Sequence, residues 1–420
     1  MNHSLLSFLS RKLRAVFSLT IAFAVSSVGA QELKPLIGEG GVAAWVKRGG
    51  NADYNFSDGT LVGTTVPGSP NTFLCPPQDY GDFVLEYESK IDSRLNAGVQ
   101  VRSHQFTEDA EVFTLRDGKL SRRKKKAGTI YGYQIEMDPS DRAWSAGIYD
   151  ESRHGWIADL SQNEKAQNAF RKDDWNQFRV EARGDRIRTW INGVAAADLR
   201  DSADLSGFIG FQVHSFRGKT PATVRWRNIR LADFGSHNWS RLWDGETMNG
   251  WKLLGGGKAE IEAGAIHLTN VKSERKHGLL YFDRELGDAT VRLKFKCVAG
   301  NSGFYVRSEL RPEHPVGIAG FQAEIDPIDN VGGLYETLGR AWVVPTGLNS
   351  EMEFLRANAW NEMTVSAHGR RLVVHVNGVR TAELKNDPGR LKGFLAMQVH
   401  GGQDVDVWFK DIEILQKASK

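Results

Sequence analysis

The chain has 420 residues, which is too many for one ordinary domain and favours two domains of about 200 residues each. Its 54 basic and 51 acidic residues nearly balance, so composition gives no reason to expect a nucleic-acid-binding protein. The high content of Gly (44), Trp (12) and Phe (21) favours β-structure with many turns.

The first thirty residues have the three parts of a secretory signal. Arg11, Lys12 and Arg14 precede a short apolar run at 15–25, and small residues occupy the last and third-last positions before a cut after Ala30. We expect cleavage there and export to the periplasm or the extracellular space. The apolar run is shorter than the about 20 residues that a membrane span needs, and no later segment reaches that length.

Short segments of alternating apolar and polar residues follow. The segment 83–88, FVLEYE, reads as a half-buried strand. Asn192-Gly193 and Asn377-Gly378 each separate two alternating segments, and Asn-Gly is the strongest short hairpin signal because both residues must take positive φ. We therefore predict an all-β fold in which two antiparallel sheets form a sandwich or jelly roll.

The same blocks occur twice and in the same order. NAGVQVRS at 96–103 returns as NSGFYVRS at 301–308, and GYQIEMDP at 132–139 returns as GFQAEIDP at 320–327. Between these two pairs the offset falls by about 17 residues, so the second copy lacks a stretch that contains RRKKK at 122–126. We interpret that basic run as a solvated loop. The order predicts a signal peptide at 1–30 and two tandem jelly-roll domains at 31–235 and 236–420.

One strand in each copy places three polar side chains on one face. Side chains alternate along a strand, so Gln134, Glu136 and Asp138 should point the same way, opposite core residues. By the same period, Arg102 should share a face with Gln100, and His214 with Gln212. If these strands are neighbours, each copy has a polar groove suited to sugar hydroxyls, with aromatic side chains at its rim.

Each residue also has a structural interpretation, since a lone His is more often structural and Arg102 could simply neutralise Glu136. The co-location of acid, base and donor in both copies favours a ligand site. The catalytic candidates are Glu136, His214, Asp138 and Arg102, and the substrate-binding candidates are Gln134, Tyr149, Trp144, Gln212, Gln322, Glu324, Asp326, Arg307, Tyr335 and His400.

The blocks YGYQIEMDPSDRAWSAGIYDE, LNAGVQVRS and GFIGFQVHS resemble the 3-keto-disaccharide hydrolase family, whose members are similar to concanavalin A-like jelly rolls. The resemblance implies glycosides oxidised at carbon 3, cleaved by hydrolysis or by 1,2-elimination with later hydration. It implies His214 or Glu136 as base or acid, Arg102 and Gln134 as donors, and Asp138 as a sugar ligand or orienting group. It implies no certain cofactor and leaves a divalent metal and the oligomeric state open.

Two other functions remain open. Family 16 glycoside hydrolases carry ExDxxE on a concave strand, whereas this chain has Asp141 and Asp329 at the last position and a proline inside each motif, which disfavours that mechanism. A carbohydrate-binding protein would need the platforms but no His beside a Glu. The second copy has Asn330 where the first has Arg142, so we prefer the first copy as the active one.

Overall fold

The computed structural model describes residues 32–116 and 119–417, so the predicted signal peptide lies outside the described residues. The first copy contains one short helix, α1 (Glu164–Gln167), and eighteen described strands: β1 (Lys34–Pro35), β2 (Val46–Gly49), β3 (Asp53–Ser57), β4 (Thr60–Thr64), β5 (Thr72–Cys75), β6 (Asp79–Tyr80), β7 (Phe83–Ile91), β8 (Ala97–Gln105), β9 (Ala110–Arg116), β10 (Lys119–Lys125), β11 (Ile130–Met137), β12 (Ile148–Glu151), β13 (Gly155–Ala158), β14 (Asn176–Arg183), β15 (Arg186–Ile191), β16 (Val194–Arg200), β17 (Gly207–Val213) and β18 (Thr223–Asp233).

The second copy is built in the same way, with one 3-10 turn at Asn349–Glu351. Its described strands are β19 (His237–Arg241), β20 (Trp251–Gly255), β21 (Lys258–Glu262), β22 (Ala265–Asn270), β23 (Gly278–Phe282), β24 (Ala289–Ala299), β25 (Ser302–Arg311), β26 (Gly317–Ile325), β27 (Leu334–Thr337), β28 (Ala341–Val344), β29 (Asn361–His368), β30 (Arg371–Val376), β31 (Val379–Leu384), β32 (Phe394–Val399) and β33 (Val405–Lys417).

Each copy forms two sheets with one core between them. In the first copy, which we call the first sandwich, one sheet has the order β16-β15-β14-β7-β18-β4-β3 and the other β10-β9-β13-β12-β11-β8-β17-β5-β2. In the second sandwich the orders are β21-β22-β33-β24-β29-β30-β31 and β20-β23-β32-β25-β26-β27-β28. The predicted all-β fold of two tandem concanavalin A-like jelly-roll sandwiches is confirmed.

The core side of the sheets follows the period-2 pattern. Val99 and Val101 of β8 and Tyr133 and Ile135 of β11 are fully buried in the first core. Both Asn-Gly pairs form the predicted tight hairpins, with positive φ at Asn192 and Asn377 as well as at the glycines. The residues between the core positions of β8 and β11 therefore face away from the sandwich core.

Arg102 breaks this pattern because a β-bulge interrupts β8. Its φ is 47°, and the register between β8 and β11 shifts between Tyr131 and Tyr133. The bulge turns Arg102 out of the face that Gln100 occupies, so the prediction that the two share a face is wrong. Arg307 has a φ of 52° at the corresponding bulge of the second sandwich.

The basic run at 122–126 is largely exposed to solvent, as predicted, but most of it is not a loop, so that part of the prediction is wrong. Residues 119–125 form β10, which pairs with β9 in an antiparallel hairpin at the edge of the ten-stranded sheet. Arg123 lines a groove on that sheet, described below. The stretch that the second copy lacks therefore builds part of a surface in the first.

The two sandwiches belong to one compact unit and share a buried polar contact. Asp185 of the first accepts hydrogen bonds from the hydroxyl groups of Thr290 (2.6 Å) and Ser366 of the second, and pairs with Arg200 (2.5 Å). Arg371 of the second sandwich pairs with Asp198 at 3.2 Å. Among the described residues, no helix is long and apolar enough to cross a membrane.

Candidate active site

A groove of about 800 Å³ lies on the ten-stranded sheet of the first sandwich, on the face away from its core. Strands β8, β11, β12 and β17 lie side by side in this sheet and bring together blocks that are up to 118 residues apart in sequence, from Asn96 to His214. The groove is lined by Asn71, Asn96, Thr114, Arg123, Gln134, Glu136, Arg142, Trp144, Tyr149, Glu151, Gly155, Trp156, Asp159 and His214.

Glu136 is the most enclosed acid of the groove, with an exposed fraction of 4%. One carboxylate oxygen accepts a hydrogen bond from Asn96 at 2.5 Å, and the other accepts one from Gln134 at 2.9 Å. The Arg142 guanidinium lies 3.7 Å away. Burial raises the pKa of Glu136, against the lowering effect of the two amide donors and Arg142. The buried carboxyl therefore holds its proton more tightly than an exposed glutamic acid does.

A chain of side-chain amides holds Glu136 in place. Ser103 donates to Gln100 at 2.6 Å, Gln100 donates to Gln134 at 2.9 Å, and Gln134 donates to Glu136. Gly98 makes the arrangement possible, because a Cβ there would lie 2.5 Å from Cγ of Gln134. The amide orientation of Gln134 is thereby fixed with its NH₂ group toward the carboxylate.

His214 follows the last residue of β17 and also lines the groove. Its Nδ1 lies 2.8 Å from the backbone oxygen of Ser215. A carbonyl oxygen can only accept, so Nδ1 carries the hydrogen and a neutral ring keeps its lone pair on Nε2. The structure thus brings His214 and Glu136 to one groove, as their strand patterns predicted.

The sequence predicted Arg102 in the groove, but the structure has Arg142 there. It comes from the turn after β11, donates to Asp138 at 2.8 Å, and lies over the rings of Trp144 (5.2 Å) and Trp156 (4.8 Å). Asp138 is buried beneath it and does not line the groove, so it orients the guanidinium and does not itself meet a ligand.

Tyr149 and Trp156 form an aromatic wall beside the polar floor. They are cross-strand neighbours on β12 and β13, and their ring centroids are 5.2 Å apart in an edge-to-face arrangement. Tyr149 is also the neighbour of Gln134 across β11 and β12. Trp144 packs edge-on against Trp156 at 4.9 Å. Partly exposed rings beside fixed amides form a surface suited to a sugar.

Glu151 is a second acid of the groove, which the sequence reasoning missed. It stands opposite Gly132 at the end of β12. Burial and, next, the negative charge of Glu136 raise the pKa of Glu151 to about 7, against the positive charge of Lys125. The motif GIYDE contained the signal, since its Tyr and Glu are two residues apart and must share a face.

Replacing Glu151 with Gln is expected to flatten the pH dependence of stability. The pKa of Glu151 is 4.5 ordinarily and about 7 in the fold, so the folded state holds this proton more tightly. Its contribution is complete below pH 4.5 and is lost as the pH rises through 7, and over that whole range it amounts to about 3 kcal/mol. Urea unfolding at pH 5 and pH 8 should show a smaller difference in Glu151→Gln than in the wild type. An equal difference would contradict the assigned environment.

Besides Asp138, two other predicted site residues of the first copy, Arg102 and Gln212, lie outside the groove. Arg102 is fully buried, pairs with Asp82 at 3.2 Å, and donates to the backbone oxygens of Gly81 and Gly184. Gln212 is fully buried, and neither of its amide atoms has a hydrogen-bond partner in the described part of the chain. Arg102 therefore has a structural role that its sequence position did not reveal.

The family model of the 3-keto-alpha-glucoside-1,2-lyase-like domain matches residues 32–232 and again residues 238–415. The chain belongs to this family. Its two domains of the 3-keto-alpha-glucoside-1,2-lyase type correspond to the first and second sandwiches. A comparison with curated proteins found no match.

Solved structures similar to the chain include a candidate glycosyl hydrolase from Parabacteroides distasonis, with 17% identity and a TM-score of 0.33, covering 43% of this chain and 94% of that one. The carbohydrate-binding module CBM66 from Bacillus subtilis has 15% identity and a TM-score of 0.31, covering 45% and 96%. The kappa-carrageenase from Pseudoalteromonas carrageenovora has 11% identity and a TM-score of 0.33, covering 43% and 96%.

The second lyase-like domain has a different polar face. Gln322 accepts from the Tyr305 hydroxyl at 2.6 Å and donates to Gln398 at 3.3 Å, so a tyrosine replaces Gln100 of the first domain. Thr337 stands opposite Gly320, where the first domain has Glu151 opposite Gly132. The second domain therefore lacks the second groove acid.

The remaining candidates of the second domain keep only part of the first domain's arrangement. Burial raises the pKa of Glu324 to about 8, and Asn301 donates to both Glu324 and Asp326. The other candidates lie as follows: His400 packs against the ring of His277 at 4.2 Å, Tyr335 packs against Trp342 at 5.2 Å, and Arg307 pairs with Asp288 at 2.8 Å, as Arg102 does with Asp82.

The donor set does not fit a divalent metal. Within residues 32–116 and 119–417, no three His, Cys, Asp or Glu side chains come together in a cluster that could hold an ion.

Proposed function

We propose that the chain is an exported enzyme whose first domain cleaves glycosides already oxidised to a ketone at carbon 3. The observation that carries the proposal is that His214 and Glu136 line the same groove. The family of the chain supports this substrate class, and the aromatic wall beside the amides supports a sugar as ligand.

The spacing of the strands suits a sugar ring between the two residues. Strand β8 lies between β11, which carries Glu136, and β17, which leads to His214, so the flanking backbones are about 10 Å apart. Asn96, which directly precedes β8, lines the groove between them. A base on one side and an acid on the other can then act on adjacent ring carbons.

His214 is the proposed base for the first step. The ketone at carbon 3 acidifies the hydrogen on carbon 2, and Nε2 of neutral His214 removes it. The electrons of the broken C–H bond form an enolate whose negative charge rests on the carbon 3 oxygen. Arg142 and the amide of Gln134 are the donors available in the groove to stabilise that oxygen.

Glu136 is the proposed acid for the second step. The enolate electrons return to form the double bond between carbons 1 and 2, the bond from carbon 1 to the glycosidic oxygen breaks, and the leaving oxygen takes the proton of Glu136. Burial, which raises the pKa of Glu136, favours the protonated form that this step needs. Addition of water to the resulting glucal completes a net hydrolysis.

Turnover in deuterium oxide tests the proposal. Elimination followed by hydration breaks the bond to the carbon 2 hydrogen, so the 3-keto-glucose product should carry deuterium at carbon 2 by NMR, and His214→Ala should abolish both product and label. Unlabelled product would show direct hydrolysis. Retained glycan binding with no turnover of any 3-keto-glucoside would show a binding protein instead.

The domain limits and the destination of the chain are part of the same proposal. We place a signal peptide at 1–30 and the boundary between the two domains at 235–236. The gap between the two family matches, from 232 to 238, supports this domain boundary. The ketone substrate then has to arise where the exported enzyme works, from an oxidation at carbon 3 of a glycoside.

A further inference from the structure

The hairpin of β9 and β10 has two different faces. Phe113 lies directly opposite Arg122, and the neighbouring pair is Thr114 with Ser121. Paired residues of an antiparallel hairpin share a face and successive pairs alternate, so Phe113 and Thr114 point in opposite directions. Leu120 is two residues from Arg122 and falls on the face of Phe113.

The face with Phe113 and Leu120 packs against the second sandwich. Both side chains are partly buried against the hydrophobic core cluster of that sandwich. Leu120 also lines a small cavity of about 70 Å³, which Val379 and His375 close from the second sandwich and Trp156 from the first. The apolar face of the hairpin thus has its partner in the other copy.

The opposite face of the hairpin belongs to the groove of the first sandwich. Thr114 and Arg123 line that groove together with Glu136 and Glu151. Lys125, on the same face as Arg123, is close enough for its charge to act on Glu151. The hairpin therefore forms a cationic side of the groove at the edge of the sheet.

The second sandwich is fixed to the first independently of the hairpin. Asp185 joins Thr290 and Ser366 in a buried contact, and Arg371 pairs with Asp198. A hairpin that packs on the second sandwich is then held at a set distance from the floor of the groove. The second copy has no such hairpin of its own, since the corresponding stretch is missing there.

We infer that the second sandwich completes the active groove of the first: it holds the β9–β10 hairpin through Phe113 and Leu120, so that Arg123 contacts an oxygen of the bound glycoside. Phe113 and Leu120 are positioning residues in this view, and Arg123 is the residue that meets the substrate. The identity of the ligand in this inference rests on the proposed function. The statement that the second sandwich holds the hairpin does not.

The test compares Leu120→Ala and Phe113→Ala, singly and together, with Arg371→Ala as the control. Arg371→Ala weakens the contact between the sandwiches without touching the hairpin. Trypsin cleavage within 122–126, RRKKK, reports the mobility of the hairpin without any substrate. We expect about tenfold faster cleavage in the double variant and little change in the control.

Kinetics supply the second readout. The double variant should raise KM for the 3-keto-glucoside about tenfold with little change in kcat, and Arg123→Ala should add little to that increase because both changes remove the same contact. Unchanged cleavage and KM in a variant with normal circular dichroism would overturn the inference, as would an equal rise of KM in Arg371→Ala. If the wild type turns over no 3-keto-glucoside, the trypsin comparison still decides whether the second sandwich holds the hairpin.

Discussion

Replacing Glu136 with Gln is expected to lower kcat for a 3-keto-glucoside by about 10²- to 10⁴-fold, the range that one general acid contributes. Gln keeps the shape of the side chain, but its single carbonyl oxygen can accept only one of the two hydrogen bonds that Asn96 and Gln134 donate to the carboxylate. It also has no proton to give to the leaving oxygen. KM should change little, because the polar floor and aromatic wall of the groove remain. Initial rates over a range of substrate concentrations measure both constants.

The chain offers a matched control for this variant. Glu324 occupies the same motif position in the second sandwich and accepts a hydrogen bond from the matching Asn301. Glu324→Gln is expected to have little effect on kcat, since Thr337 replaces the second groove acid there. A large loss in Glu324→Gln with normal turnover in Glu136→Gln would move the active site to the second domain.

Replacing Arg102 with Leu is expected to cost about 3–5 kcal/mol of folding free energy. Arg102 and Asp82 have exposed side-chain fractions of 0% and 1%, so the variant leaves a buried carboxylate without its main positive partner. The backbone oxygens of Gly81 and Gly184 lose their donors as well. The midpoint of urea-induced unfolding, followed by tryptophan fluorescence, measures the loss.

Arg307→Leu is the matched control for the second sandwich. Arg307 is equally buried, but its partner Asp288 is 56% exposed and can be solvated by water when the arginine is lost. We therefore expect a smaller loss than in Arg102→Leu. If Arg102→Leu kept its stability but lost turnover, Arg102 would be part of the catalytic machinery, and the assignment of a structural role would be wrong.

The strand faces were predictable wherever the backbone keeps its period of two. Gln134 and Glu136 share the groove face because β11 is regular over 133–137, and His214 follows from β17 in the same way. Arg102 was not predictable, since a bulge adds one residue and reverses the face, and no residue pattern in VQVRS marks it. The pairing of Arg102 with Asp82 depends on contacts that only the folded chain has.

The residues that complete the groove come from outside the strand motifs. Arg142 lies in a turn, where no period assigns a direction to its side chain. Thr114 and Arg123 depend on where the hairpin packs, and that is decided by the second sandwich. In the run at 122–126, the high density of positive charge indicated a loop. In the structure, Arg122 and Arg123 point to opposite faces of a hairpin, and the register of that hairpin cannot be read from the sequence alone.

The buried contact of Asp185 has a consequence for dissecting the protein by truncation. A chain ended at 235 would leave one oxygen of Asp185 without the hydroxyl groups of Thr290 and Ser366, and it would expose Phe113 and Leu120. Loss of activity in such a fragment would report a damaged first half as readily as a missing catalytic residue. The division of labour between the duplicated halves is therefore better read from point substitutions in the full-length chain than from separately expressed halves.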